Sequence, residues 1–150
     1  MLSCANVVSK TSTNGYYYST PKQAYRASIE YVESERTRGE PVIVVDLAEQ
    51  GYRYYGDLMG TRQDHDYYFV QSVEELDEVL STSSSEESYV VTTLPRFLRL
   101  RKPELDARIN QDWQVIRSFP GTIGDGQISV WASRTSITSP ACADCGMGSR

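Results

Sequence analysis

The stretch Pro41-Val42-Ile43-Val44-Val45-Asp46-Leu47-Ala48 is apolar and β-branched, with no polar residue before Asp46. A strand with one face in water alternates apolar and polar side chains, whereas one covered on both faces is apolar throughout. PVIVVDLA therefore predicts a strand inside a sheet that carries helices on both sides. It is also the longest apolar stretch, far short of the roughly 20 residues needed to cross a bilayer, so no membrane span is expected.

Working outward from this strand, Thr20, Pro21 and Gln23 form a helix-start signal: a capping threonine, a proline at the first helical position and a glutamine that can close a capping box. Ala24, Ala27, Ser28, Tyr31 and Val32 then share a face, with Tyr25 and Ile29 beside it. Gly39 and Pro41 end the helix. Downstream, EQGYRYYGDLMG (49–60) predicts a short helix or turn carrying Tyr52, Tyr54 and Tyr55, and YYFVQ (67–71) a second strand. In SVEELDEVL (72–80), Ser72 and Glu75 make a second capping box, and Val73, Leu76 and Leu80 share one side of the helix. SYVVTTL (88–94) is a third strand. Pro95 returns the chain to helix, and Pro103 restarts it with Leu105 and Ile109 inward.

WQVIRSF (113–119) and QISVWAS (127–133) read as two strands joined by PGTIGDG, where Asp125 and Gly126 suit a tight hairpin turn. The succession predicts an α/β fold: a Rossmann-like three-layer sandwich with a mostly parallel sheet of about five strands and an antiparallel C-terminal hairpin. Residues 1–15 and 135–150 lack periodicity and are expected to be loose tails around a single domain, 16–134.

The chain has 150 residues and a formal net charge of −5, with both signs mixed along most of its length. That balance argues against a nucleic-acid or anionic-membrane surface, both of which call for a concentrated basic patch. The start, MLSCANVVSK, lacks the regions of a secretory signal, so the chain as written is expected in the cytoplasm. Three cysteines, Cys4, Cys142 and Cys145, imply no disulfide framework.

Few residues carry a chemical signal. The sole histidine, His65, lies between Asp64 and Asp66, but neighbours in an extended loop point in different directions, and a solvated loop is the simpler reading. Cys142 and Cys145 have the spacing of half a zinc site without a second ligand pair. GTIGDG (121–126) precedes a strand, whereas a phosphate-binding glycine loop opens a helix. No metal, cofactor or catalytic residue is assigned. Arg96, Arg99, Arg101 and Lys102 form a basic run that fits a solvated helix face or contact with phosphate groups of a lipid carrier or bilayer. Of the eleven tyrosines, eight cluster at 16–18, at 52, 54 and 55, and at 67 and 68. A phenol ring joins a flat apolar face to a polar tip and suits a sugar or a peptide segment, although alternate members of each cluster equally suit the core.

Three stretches carry a resemblance: YYYSTPKQAYRASIEYVESERTRGEPVIVVD, FVQSVEELDEVL with SYVVTTLP, and WQVIRSFPGTIGDGQISVWASR. Their order and spacing resemble the extracytoplasmic C-terminal domain of family-39-type, protein-mannosyltransferase-like membrane glycosyltransferases, over roughly residues 16 to 134. The most specific pieces are Pro21 to Arg26 and Phe119 to Val130. The resemblance implies an extracytoplasmic setting in the full-length relatives and places their catalytic residues in a membrane portion outside this chain.

Three readings follow. The leading one is a non-catalytic accessory or binding domain that contacts a glycan, an acceptor peptide, a lipid-phosphate carrier or a membrane glycosyltransferase core, with Tyr52, Tyr54, Tyr55, Asp46, His65 and Tyr67 as candidate ligand-binding residues. The second is a small enzyme with its site at the C-terminal strand ends, where Asp46, the tyrosine turn, His65 and Thr92 or Thr93 would converge. The third is a self-association module, in which an edge strand or the terminal hairpin pairs in a homodimer.

Overall fold

A computed structural model describes residues 23–37, 39–60, 67–121 and 125–134. In chain order the elements are α1 (Tyr25–Glu35), β1 (Val42–Val45), α2 (Ala48–Met59), β2 (Tyr67–Val70), α3 (Val73–Thr82), β3 (Tyr89–Thr93), α4 (Pro95–Arg101), α5 (Pro103–Asp112), β4 (Trp113–Phe119) and β5 (Ile128–Ser133). The five strands form one sheet in the order β2-β1-β3-β5-β4. β1 pairs in parallel with both β2 and β3, while β5 runs antiparallel between β3 and β4. The fold is thus mixed α/β, with a mostly parallel sheet and the expected antiparallel terminal hairpin.

PVIVVDLA forms the interior strand β1, and all four of its residues are buried. Successive side chains of a strand point to opposite faces. Val42 and Val44 accordingly join a cluster with Tyr25, Ile29 and Val32 of α1 and Ala48 and Tyr52 of α2. Ile43 and Val45 join the other, with Leu76 of α3, Leu98 of α4 and Leu105 and Ile109 of α5. Each such fully buried aliphatic side chain contributes on the order of 1.5–3 kcal/mol relative to exposure.

The connections put a reversal between β1 and β3: the chain leaves β1 for β2 on one side and returns to β3 on the other. Open α/β sheets tend to bind ligands outside the carboxyl ends of strands at such a point. Two non-glycine residues with positive φ stand there, Asp46 (φ 47°) after β1 and Leu94 (φ 51°) after β3.

Three local expectations shift. Helix α1 starts at Tyr25 rather than after Thr20, because Gln23 sends its amide across to Thr93 Oγ1 at 3.1 Å instead of closing a capping box; Thr20 and Pro21 lie outside the described residues. The buried stripe of α1 is Tyr25, Ser28, Ile29 and Val32, which leaves Ala27 exposed. At the hairpin, Asp125 accepts a hydrogen bond from the Arg96 amide at 3.0 Å and so serves the start of α4; residues 122–124 lie outside the described set. No helix among the described residues is long and apolar enough to cross a membrane.

Candidate functional site

The tyrosines of α2 are sorted by helical geometry. Tyr52 points inward and is 2% exposed, and its hydroxyl donates to Ser28 Oγ at 3.1 Å. Tyr54, two positions on and therefore about 200° around the helix, is 63% exposed. Tyr55 lies between these extremes, partly buried on the α1 side. Tyr67 begins β2, is buried, and donates its hydroxyl to Glu33 Oε1. Arg36 also holds that carboxylate, with Nε 3.1 Å from Oε1 and Nη2 3.1 Å from Oε2.

These rings form a continuous ladder from the core to solvent. Tyr67 and Tyr52 have centroids 6.0 Å apart, Tyr52 meets Tyr25 edge-on at 6.2 Å, Tyr25 stacks on Tyr55 at 6.0 Å with planes 21° apart, and Tyr55 meets Tyr54 edge-on at 5.1 Å. Offset-stacked and edge-to-face pairs at these distances are the favourable geometries of aromatic quadrupoles. Burial raises the phenols of Tyr52 and Tyr67 above their ordinary value, and the hydrogen bond to Glu33 pushes Tyr67 up further. Both are neutral hydroxyls that tie elements together.

At the outer end of the ladder, two open depressions of about 340 Å³ each share Arg26 and Tyr55 as walls. One runs along α1 past Gln23, Tyr25 and Glu30; the other is bounded by Leu58 and Met59 of α2. Arg26 and Glu30 form an exposed ion pair at 2.9 Å on the rim, and Leu58 is 67% exposed. The groove thus combines stacked phenol faces, aliphatic flanks and planar polar side chains at its edge. That combination can hold a flat, partly apolar ligand studded with hydroxyls or amides.

The carboxyl ends of the parallel strands have a different character. Asp46 is buried there; its amide donates to Val70 O and its carbonyl accepts from the Glu49 amide, both at 3.1 Å. Thr92 Oγ1 accepts from Trp131 Nε1 at 2.9 Å, and Thr93 donates to Gln127 O at 3.1 Å. Glu49 joins Arg53 at 2.7 Å and Gln71 at 3.0 Å, and Lys102 Nζ donates to Gln71 O at 2.7 Å. Beyond Gln71 lies an open cleft of about 280 Å³ between the start of α3 and the α4–α5 junction.

Of the six residues singled out from the sequence, Tyr52, Tyr55 and Tyr54 belong to one ladder together with Tyr67, whereas Asp46 stands apart at the strand end. His65 lies outside the described residues, as do Cys4, Cys142 and Cys145. Among the described residues no group of three or more His, Cys, Asp or Glu side chains could hold a metal ion. The sequence reading left Gln23, Tyr25, Arg26 and Glu30 out of the site. Three of these fall within Pro21 to Arg26, the stretch most specific to the resemblance, which was read as a helix start alone.

Compared with known proteins, the chain matches no family model, no curated protein and no solved structure at a significant level. The glycosyltransferase-domain resemblance rests on the three quoted stretches of sequence.

Proposed function

We propose that this chain is a non-catalytic binding or accessory domain that takes a glycan or an acceptor peptide segment along the α1–α2 groove. The observation that carries this reading is the Tyr54–Tyr55 ring pair, exposed at Tyr54 and half-buried at Tyr55, beside a groove edged by Gln23, Arg26 and Glu30. A sugar ring has apolar C–H faces that stack on phenols, and its hydroxyls bond well to planar amide, guanidinium and carboxylate groups. The reading takes the sheet and its helices as a Rossmann-like three-layer sandwich, in keeping with the resemblance to the soluble domain of membrane glycosyltransferases. In such a setting the domain would present a glycan, acceptor or lipid-phosphate carrier to a catalytic core elsewhere. The two clusters served by alternate residues of β1 support that architecture.

Chemical-shift mapping with neutral oligosaccharides and short Ser/Thr-rich peptides tests the reading. Resonances of Gln23, Arg26, Glu30, Tyr54 and Tyr55 are expected to move. Tyr54→Ala, at an exposed ring, is expected to weaken binding about tenfold with the fold intact. Silence at these positions with every probe would reject the groove as a ligand site.

A second reading, a small enzyme with its site at the strand ends, is favoured by the paired positive-φ residues Asp46 and Leu94. Such conformations cost of order 1–3 kcal/mol and cluster at functional sites. Shifts confined to Asp46, Gln71, Thr93 and Leu94 in the same titration would favour it over the groove.

A further inference from the structure

Helix α4, PRFLRLR with Lys102 following, carries four cations and no acid in a chain of net charge −5. Its hold on the body of the protein is Leu98, which is 4% exposed and packed in the second core cluster. Leu100 sits about 200° around the helix from Leu98 and is 81% exposed, the most exposed of the large apolar side chains among the described residues. Arg96, four positions before Leu100, shares its outward face. Phe97, 42% exposed, lies on one flank with the Arg101 guanidinium 5.2 Å from its ring centroid, and Arg99 lies on the other.

Two of the acids close to this face have partners on α4. Asp125 accepts from the Arg96 amide at 3.0 Å, and Asp106 meets Arg99 at 3.4 Å. The Arg99 side chain is 73% exposed, so that pairing is weak and open to exchange. Glu74 and Glu104 share the neighbouring cleft with Arg101 and Lys102, and Lys102 itself is spent on Gln71 O. The outward face and flanks of α4 thus carry Arg96, Arg99 and Arg101, arranged around two apolar side chains.

We propose that α4 docks on an anionic lipid bilayer surface, with Leu100 and Phe97 entering the interfacial zone and Arg96, Arg99 and Arg101 meeting headgroup phosphates. Apolar side chains on one helix face with cations around them is the arrangement by which an interfacial helix lies in the headgroup region. A purely polyanionic partner such as a nucleic acid would gain nothing from an exposed leucine. On an anionic bilayer, the chain's net charge of −5 opposes close approach of the rest of the molecule and leaves α4 as the face toward the membrane. This surface is separate from the α1–α2 groove and does not depend on its reading.

The test is co-sedimentation of the full chain with vesicles of phosphatidylcholine alone and of phosphatidylcholine mixed equally with phosphatidylglycerol. Binding is expected only to the anionic vesicles and is expected to fall with added salt. Leu100→Glu, and separately Arg96→Gln with Arg99→Gln, should each weaken it about tenfold or more, since one cation near the surface is worth roughly fivefold. As Leu100 is exposed, its replacement should leave circular dichroism and thermal midpoint unchanged. Leu100→Trp gives a direct signal, an emission blue shift on anionic vesicles alone. No binding to anionic vesicles, or binding indifferent to Leu100→Glu, would overturn the proposal. Equal binding to heparin that survives Leu100→Glu would also overturn it and assign the basic face to a polyanion.

Discussion

An alanine methyl at position 51 would overlap the ring carbons of Tyr25. Gly51 is in the middle of α2, where helix propensity alone would favour alanine by about 1 kcal/mol. Glycine is there because the Tyr25 ring occupies the space against the helix while it stacks on Tyr55 and meets Tyr52 edge-on. Gly51→Ala is therefore expected to destabilise the protein by about 1–3 kcal/mol despite the propensity gain, read as a lower urea midpoint with an unchanged slope. None of this was legible in EQGYRYYGDLMG, because the partner ring lies far earlier in the sequence. Tyr67 and Glu33 are likewise far apart in the sequence: the phenol could be read as a ligand group from sequence, and only the packing of α1 against β2 commits its hydroxyl to the carboxylate.

Among the elements, α3 is where sequence and structure agree most closely. Ser72 Oγ accepts from the Glu75 amide at 3.3 Å, as the capping box predicts. The return half of the box is displaced by one residue, since Glu75 Oε2 accepts from the Gln71 amide at 2.6 Å. The exposed Glu74 carboxyl is held below its usual range by its own backbone amide and by Ser72, consistent with an anion at a helix N-terminus. Ser72→Ala is expected to cost about 1 kcal/mol, seen as a lower thermal midpoint with helical content retained. Helix α1 teaches the opposite: Thr20, Pro21 and Gln23 form a sound local start signal, yet a tertiary bond from Gln23 to Thr93 takes the glutamine away and the helix begins at Tyr25. Prolines 95 and 103 were reliable, because a residue without an amide hydrogen suits the first turn whatever surrounds it.

For the whole molecule, the tyrosine ladder has a consequence at high pH. Burial raises the phenols of Tyr25, Tyr52, Tyr67 and Tyr89 above the ordinary 10.0, with Tyr89 pushed up to about 12 by desolvation and then by Glu40. A raised pKa means that the neutral form favours the folded state, so its contribution is complete below pH 10 and is lost as pH climbs from there through the folded values. Cooperative alkaline unfolding is expected above about pH 10, with phenolate absorbance and loss of circular dichroism rising together; gradual ionisation of all the tyrosines near 10 with an intact far-ultraviolet spectrum would contradict their burial. The α/β class, the interior position of Val42–Val45 and the terminal hairpin were determined by the sequence alone, because hydrophobic period, proline placement and capping are local and each residue carries its part without a distant partner. The groove was decided by tertiary structure. Gln23 and the α1 residues Tyr25, Arg26 and Glu30 meet Tyr55 of α2, with Leu58 and Met59 beside it, because β1 lies between the two helices in the chain and both pack against the same face of it, so which tyrosines line a surface and which fill the core depends on a helix rotation that only the packed sheet sets.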